Sequence, residues 1–228
     1  MARSMRIEER FAAVRDRVSE AAQRSGRDGS EVTIVAVTKT WPADVAVAAL
    51  RAGVTDLGEN RAQELAQKRA VIDENARWHF VGHLQTNKVR RVAGVTLIHS
   101  VDRFGLGEAI ARRAVEMNIV QEVLLEVNVS GEASKHGVAP ERTVALAEEL
   151  LALEGLRVRG LMTIPPLPEN PESSRPYFAR LVALRDELQR VAPEAVDLSM
   201  GMTRDFEVAI EEGATVVRIG EAIFGPRA

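Results

Sequence analysis

The chain contains no cysteine. That excludes disulfides, thiolate metal sites and a cysteine nucleophile. Lysine is scarce too. It occurs only at Lys39, Lys68, Lys88 and Lys135, so arginine supplies the other 26 of the 30 basic residues. There is one tyrosine, Tyr177. No stretch approaches the roughly 20 apolar residues that a membrane helix needs. Met1 to Arg17 is rich in charge and lacks the apolar centre of a secretory signal. Neither sign of charge dominates: 33 acidic residues against 30 basic ones give a net charge of −3. That balance argues against a general nucleic-acid binder. A cytoplasmic protein is the expectation that remains. With 228 residues, 46% of them hydrophobic, the chain can bury a full core. This length suits one α/β barrel or two small domains.

The arginine bias makes each retained lysine worth weighing. An amine can lose its proton and attack a carbonyl, whereas a guanidinium effectively cannot. The alternative for any of the four is a solvated surface charge.

Along the chain, apolar residues at Ile7, Phe11, Val14, Val18, Ala21 and Ala22 predict an amphipathic helix over 6–24. A β-branched run, Val32–Val37, then ends at Thr38-Lys39. Further strand-like runs lie near Thr55–Asn60, Trp78–His83, Thr96–Asp102, Glu122–Ser130, Arg157–Ile164, Ala195–Gly201 and Thr215–Gly220. Helical patterns occupy Asp44–Ala52, Arg61–Asn75, Thr86–Val92, Arg103–Asn118, Pro140–Glu154, Arg175–Val191 and Thr203–Glu212. Strand alternating with helix indicates a parallel sheet buried on both faces. Eight such units predict a single closed (β/α)8 TIM barrel over residues 1–228. No full eighth helix is expected after the last strand, and the helix at 6–24 is the candidate to cover that gap. The one long loop is Pro165–Pro176, which holds five of the nine prolines.

In such a barrel, function gathers at the C-terminal ends of the strands. Those ends carry Lys39, Glu59-Asn60, His83, Ser100 and Asp102, Asn128, Met162-Thr163, Ser199–Gly201 and Arg218–Gly220. Lys39 closes an apolar strand; it is either a desolvated amine in the barrel mouth or a side chain reaching out to water. The run Leu198–Thr203 joins a strand to a helix, with Ser199 or Thr203 near the cap. That is an anion cradle or a plain capped helix. Gly220 adds an approachable backbone. Arg218 sits in an apolar strand and needs a partner, either Glu59 or another carboxylate, or a ligand. His79 and His83 are too far apart along a strand to share one ion, so no metal site is expected. His79 reads as core and His83 as mouth. Lys135, in Ser134–Gly137, is a second possible mouth lysine, while Asn87-Lys88 reads as a helix start with a solvated lysine.

Together, Ala36–Thr40, Leu57–Glu64, Trp78–Lys88, Gly160–Pro165, Leu198–Thr203 and Val217–Gly225 resemble the pyridoxal phosphate homeostasis protein family, also called YggS-like. The resemblance runs from the N-terminal helix to the C-terminus. Departures are mild: His83 follows glycine where proline is common, and Thr203 stands where serine is usual. The resemblance implies a barrel like the N-terminal domain of alanine racemase that carries pyridoxal 5′-phosphate (PLP). It implies that Lys39 is the Schiff-base lysine and that Arg218 faces the pyridine nitrogen. Ser199, Gly201, Met202 and Thr203, with Gly220 and the Glu221 amide, would border the phosphate; Asn60 and His83 complete the cofactor site. An arginine at the ring nitrogen disfavours its protonated form and so weakens the ring as an electron sink. Racemases with such an arginine add a catalytic tyrosine from a second domain, whereas Tyr177 lies in a helical segment. The expectation is therefore a non-enzymatic PLP carrier in intracellular vitamin B6 and amino-acid homeostasis, with a PLP-dependent racemase-like enzyme as the alternative. Expected partners are PLP and PLP-requiring apo-enzymes, with no nucleic acid or membrane, and the expected state is a monomer.

Overall fold

The computed structural model describes residues 2–72, 75–132 and 135–226, with side chains from Arg6 onward. Eight parallel strands form a closed barrel in sequence order. They are β1 Thr33–Val37, β2 Asp56–Glu59, β3 Arg77–Phe80, β4 Leu97–Val101, β5 Gln121–Glu126, β6 Leu156–Met162, β7 Asp197–Ser199 and β8 Val216–Ile219. Closure is made by β1 against β8, with Thr33 opposite Val216 and Val35 opposite Arg218. The helices are α1 Ala2–Arg24, α2 Ala43–Arg51, α3 Ala62–Arg69, α4 Val89–Val92, α5 Phe104–Glu116, α6 Thr143–Leu151, α7 Arg175–Leu188, α8 Phe206–Glu211 and α9 Glu221–Phe224. No helix among the described residues is long and apolar enough to cross a membrane.

The period-2 geometry of a strand divides its residues between two faces. Ala36, Leu57, Val217 and Ile219 face outward into the main core beneath the helices. Val35, Val37, Val81 and Val216 form a separate cluster, and Leu97, Leu124 and Met162 another. The terminal α9 has only four residues. As expected, α1 fills the gap, packing against α8, α9 and α2. Its buried stripe is Ile7, Phe11, Val14, Val18, Ala21 and Ala22. Arg17 lies over the Phe206 ring and pairs with Glu207, while Arg24 pairs with Glu211.

Several boundaries differ from the sequence expectation. Strand β3 stops at Phe80, not His83. Gly82 follows, packed so tightly on Asn60 that a Cβ would lie 2.2 Å from the Asn60 carbonyl oxygen. Helix α3 ends at Arg69; of the longer helix expected to Asn75, Asp73 and Glu74 lie outside the described residues. Helix α8 starts at Phe206, three residues after Thr203. A turn intervenes, held by Asp205, whose Oδ1 accepts from the Met202 amide at 2.8 Å.

A line of polar side chains crosses the barrel interior. Arg77 donates to Asp56, and Asp56 Oδ1 lies 2.9 Å from His79 Nε2. His79 Nδ1 lies 2.9 Å from His99 Nε2, and His99 Nδ1 lies 2.8 Å from Ser199 Oγ. Ser199 Oγ in turn accepts from Arg218 Nη1 at 2.6 Å. Burial pushes Asp56 upward, but hydrogen bonds from His79, Arg77 and Thr55 outweigh it and hold the carboxyl at about 2. A depressed carboxyl stabilises the fold above its unfolded pKa, and that contribution is lost as pH falls through the folded value. Asp56→Asn should therefore cost about 2 kcal/mol at pH 7. The difference from wild type should shrink between pH 4 and pH 2, measured by urea unfolding at several pH values. A difference that does not change with pH would refute this account.

Candidate functional site

Lys39 follows β1, and the backbone around it is clamped. The Thr38 amide donates to Gly58 O at 2.9 Å, and its hydroxyl donates to Glu59 Oε1 at 2.6 Å. The Thr38 carbonyl accepts from Lys68 Nζ at 2.7 Å. Thr40 is held in the left-handed region, φ 67°, with its amide donating to Glu64 Oε1 at 2.7 Å. A β-branched residue there costs roughly 1–3 kcal/mol and persists only where its surroundings over-determine it. Those surroundings are a buried ion-pair cluster: Lys68 Nζ lies 2.5 Å from Glu59 Oε1 and 3.0 Å from Glu64 Oε1. Burial pushes the Glu59 carboxyl up, opposed by Lys68 and Thr38. Glu59 is thus the partner of Lys68, not of Arg218.

Arg218 is held by oxygen atoms of neighbouring strands. Nη1 donates to Ser199 O at 2.7 Å and Nη2 to Thr163 O at 2.8 Å, besides the contact with Ser199 Oγ. Only 4% of the residue is exposed. Among the described residues no carboxylate pairs with it. Burial lowers its pKa to about 10, against the fields of Glu126 and Asp205, so it stays charged at neutral pH.

Lys39, Arg218, Asn60 and His83 line one cavity of about 380 Å3 at the C-terminal end of the barrel. Met202, Thr203, Gly220 and Glu221 line its far side. The strand ends thus bring together most of the residues that the sequence singles out. Ser199 and Gly201 lie behind this lining. The Ser199 hydroxyl is spent on His99 and Arg218. Gly201 has φ 90°, and a Cβ there would stand 2.9 Å from Phe206 Cα, so only glycine lets the loop pass. Lys135 is absent from the lining and pairs with Glu132 at 3.3 Å, while Ser134 lies outside the described residues.

Several residues of the site were not singled out by the sequence. Glu126 ends β5 and lines the cavity. It is buried, its Oε2 has no partner, and burial with the nearby Asp102 raises it to about 7 despite Arg218. A charged residue closing an apolar strand was its signal, the same one that marks Lys39. His136 stacks on His83 at 3.8 Å between centroids, and with Asp102 the two place ligand atoms within 4.8 Å of one another. His79 does lie in the core, as expected, so the His83 group is assembled from three separate loops that spacing along one strand does not reveal. Desolvation and His136 lower the His83 pKa.

The Lys68 clamp generates a prediction. Lys68→Met strands the buried Glu59 carboxylate and should cost about 3 kcal/mol or more. Adding Glu59→Gln should recover at least half of that loss in urea denaturation. A double variant no more stable than the single one would show that the pair is not the clamp.

The comparisons agree with this architecture. The family model for the alanine racemase N-terminal domain matches residues 10–228. A pyridoxal phosphate homeostasis protein of Aquifex aeolicus is 51% identical, covering 96% of this chain and 97% of its own length. One from Pseudomonas aeruginosa is 45% identical, covering 97% and 96%. Among solved structures, PipY of Synechococcus elongatus with PLP bound superposes with a TM-score of 0.84 at 33% identity, covering 96% of this chain and 100% of that one. The chain belongs to the pyridoxal phosphate homeostasis protein family, whose barrel is that of the alanine racemase N-terminal domain.

Proposed function

We propose that this chain binds PLP at the barrel mouth through Lys39 and acts as a holder of PLP in vitamin B6 and amino-acid homeostasis, without turning over amino acids. The observation that carries this reading is one clamped lysine lining the same mouth as a buried, charged Arg218, on the adjacent strands β1 and β8. The site's dimensions fit the group. Lys39 is the one lysine in the lining, and Gly220 adds a stretch of backbone with no side chain to that lining. Bound there, PLP supplies an aldehyde that an amine can hold covalently and a ring whose protonated form is an electron sink.

The chain's own residues divide the work. Lys39 supplies the amine. Ser199, Gly201, Met202, Thr203, Gly220 and Glu221 bound the phosphate end, with Ser199 acting from behind by holding Arg218. Asn60 and His83 form the opposite rim. Arg218 has donors only. At a ring nitrogen it therefore donates a hydrogen bond and disfavours protonation there. Lys39 and Arg218 together make the mouth favourable to a phosphorylated ligand. PLP-requiring apo-enzymes are the natural recipients of a cofactor held this way.

Borohydride reduction of the PLP-loaded protein, followed by peptide mass analysis, should place the cofactor on Lys39. Lys39→Ala should lose the visible absorbance. A label found only on Lys88 or Lys135 would sink the assignment.

Glu126 favours a second reading. A mouth carboxyl raised to about 7 has the properties of a general acid or base, as a racemase-like enzyme would need. Following α-proton exchange in D2O over a set of L- and D-amino acids separates the two. The holder should show no sustained exchange. Turnover on the order of 1 s⁻¹ or faster, abolished by Lys39→Ala and by Glu126→Gln, would establish the enzyme instead.

A further inference from the structure

A second cavity adjoins the mouth. Its volume is about 330 Å3, at the lower end of the range for small-molecule sites. Asn60 and His83 line both cavities and form the wall between them. The buried Phe80 and Leu84 give this cavity an apolar surface, and Gln63 and Gln85 add side-chain amides. Its charges are Arg61, Lys88 and Arg91, and no carboxylate lines it.

A number of arginines elsewhere in the molecule are neutralised by a neighbouring carboxylate. Arg17, Arg24, Arg77, Arg113 and Arg175 each pair with a carboxylate. Among the described residues Arg61, Lys88 and Arg91 pair with none. Glu59 and Glu64, the acidic residues nearest to Arg61 along the chain, are both engaged by Lys68, and Glu64 also by the Thr40 amide. Three like charges gathered around one concavity repel one another, and a doubly charged anion would relieve that repulsion. Guanidinium forks suit the planar or tetrahedral oxygens of carboxylate and phosphate groups.

We infer that this cavity is a binding site for a small organic molecule bearing a doubly charged anionic group, a phosphate monoester or a dicarboxylate. Arg61, Lys88 and Arg91 would hold the anion, and the Asn60–His83 wall would set the occupant beside the mouth. The site stands on its own lining and does not rest on the PLP reading. Only its meaning does: an anionic amine held there would lie next to the lysine-bound cofactor.

The test is a 15N-HSQC titration of the full chain at low ionic strength, where exposed charges are least screened. The protein is first saturated with PLP, and the probes are inorganic phosphate and succinate. Either probe should give saturable shifts of the Gln63, Leu84, Gln85 and Lys88 amides, and their ranking distinguishes the two anion types. Arg61→Gln and Arg91→Gln should each weaken the binding roughly tenfold or more, the loss of one charge-assisted contact. Arg90→Gln removes the same charge from the same short helix but from the groove beside Glu116, and should leave the affinity unchanged. No saturable shift with either probe would overturn the proposal. So would equal weakening by Arg90→Gln, which would mean diffuse surface charge, or shifts confined to Gly201 and Gly220 in the mouth. Absorbance recorded on each sample keeps the two readings apart. Loss of the PLP band with the pocket shifts intact would count against the mouth assignment and in favour of the pocket.

Discussion

The hydrogen-bonded line from Arg218 to Asp56 is the constraint on which the rest of the site depends. A guanidinium buried this deeply carries a desolvation cost of several kcal/mol unless its donors are met. Here Ser199 and Thr163 meet them, but Ser199 can serve only if its own hydroxyl is oriented. Arg218 cannot accept a proton, so the Ser199 hydroxyl must donate elsewhere, and His99 is its acceptor. With both imidazoles neutral, one direction satisfies every member: Ser199 to His99 Nδ1, His99 Nε2–H to His79 Nδ1, and His79 Nε2–H to Asp56. Burial, together with the charge of Arg218, lowers the His99 pKa and keeps this ring neutral, as this direction requires. Asp56 ends the line with a carboxylate whose charge Arg77 balances at the solvent edge. The tautomer of two core histidines and the aim of a mouth arginine are thus one decision, made across five strands.

The adjacent strand β1 follows the same logic with different parts. Lys39 is aimed by what lies beneath the backbone on either side of it. Thr38 is tied to Gly58, Glu59 and Lys68, and the strained Thr40 is tied to Glu64. The buried Lys68 serves as a three-pronged anchor between two carboxylates and a carbonyl. Glu126, at the end of β5, lines the same mouth, and its raised pKa leaves it only partly ionised near pH 7. Glu126 therefore adds less than a full negative charge to a mouth that holds the charged Arg218, a condition that suits an anionic ligand.

Much of this was legible in the sequence because it is periodic. Eight apolar runs separated by amphipathic segments give the barrel, and the residues closing those runs give the mouth, Lys39 and Arg218 among them. The N-terminal helix showed its buried stripe directly. What escaped is non-local. His99 and Ser199 are 100 positions apart and meet only because β4 and β7 both face the barrel interior. Lys68 reads as an ordinary helix lysine until α3 is laid against β2. The Leu198–Thr203 run looked like a helix start, but Asp205 caps the Met202 amide and delays α8 to Phe206. Gly82 ends β3 early because Asn60 lies against it, which moves His83 from a strand to a rim where it meets His136. None of these contacts leaves a spacing signal in one chain.

The fixed arginine also bears on chemistry. Losing a proton from Arg218 would remove a donor from a set already committed to Ser199 and Thr163, in a place where an unmet carbonyl or hydroxyl is costly. Its pKa, lowered by burial, still stands near 10, so the group remains a pure donor across the physiological range. A ring nitrogen facing it would meet a cation that cannot accept, and the protonated ring would be disfavoured whatever amine occupied the mouth. Under the proposed placement, weakness as an electron sink would come from the barrel core and not from the mouth loops. Changing it would require a carboxylate in place of Arg218, and that carboxylate would face the Ser199 and Thr163 carbonyls with no donor to offer them. If the ring of PLP faces Arg218 as proposed, the hydrogen-bonded interior that fixes this arginine would also be what disfavours carbanion chemistry there.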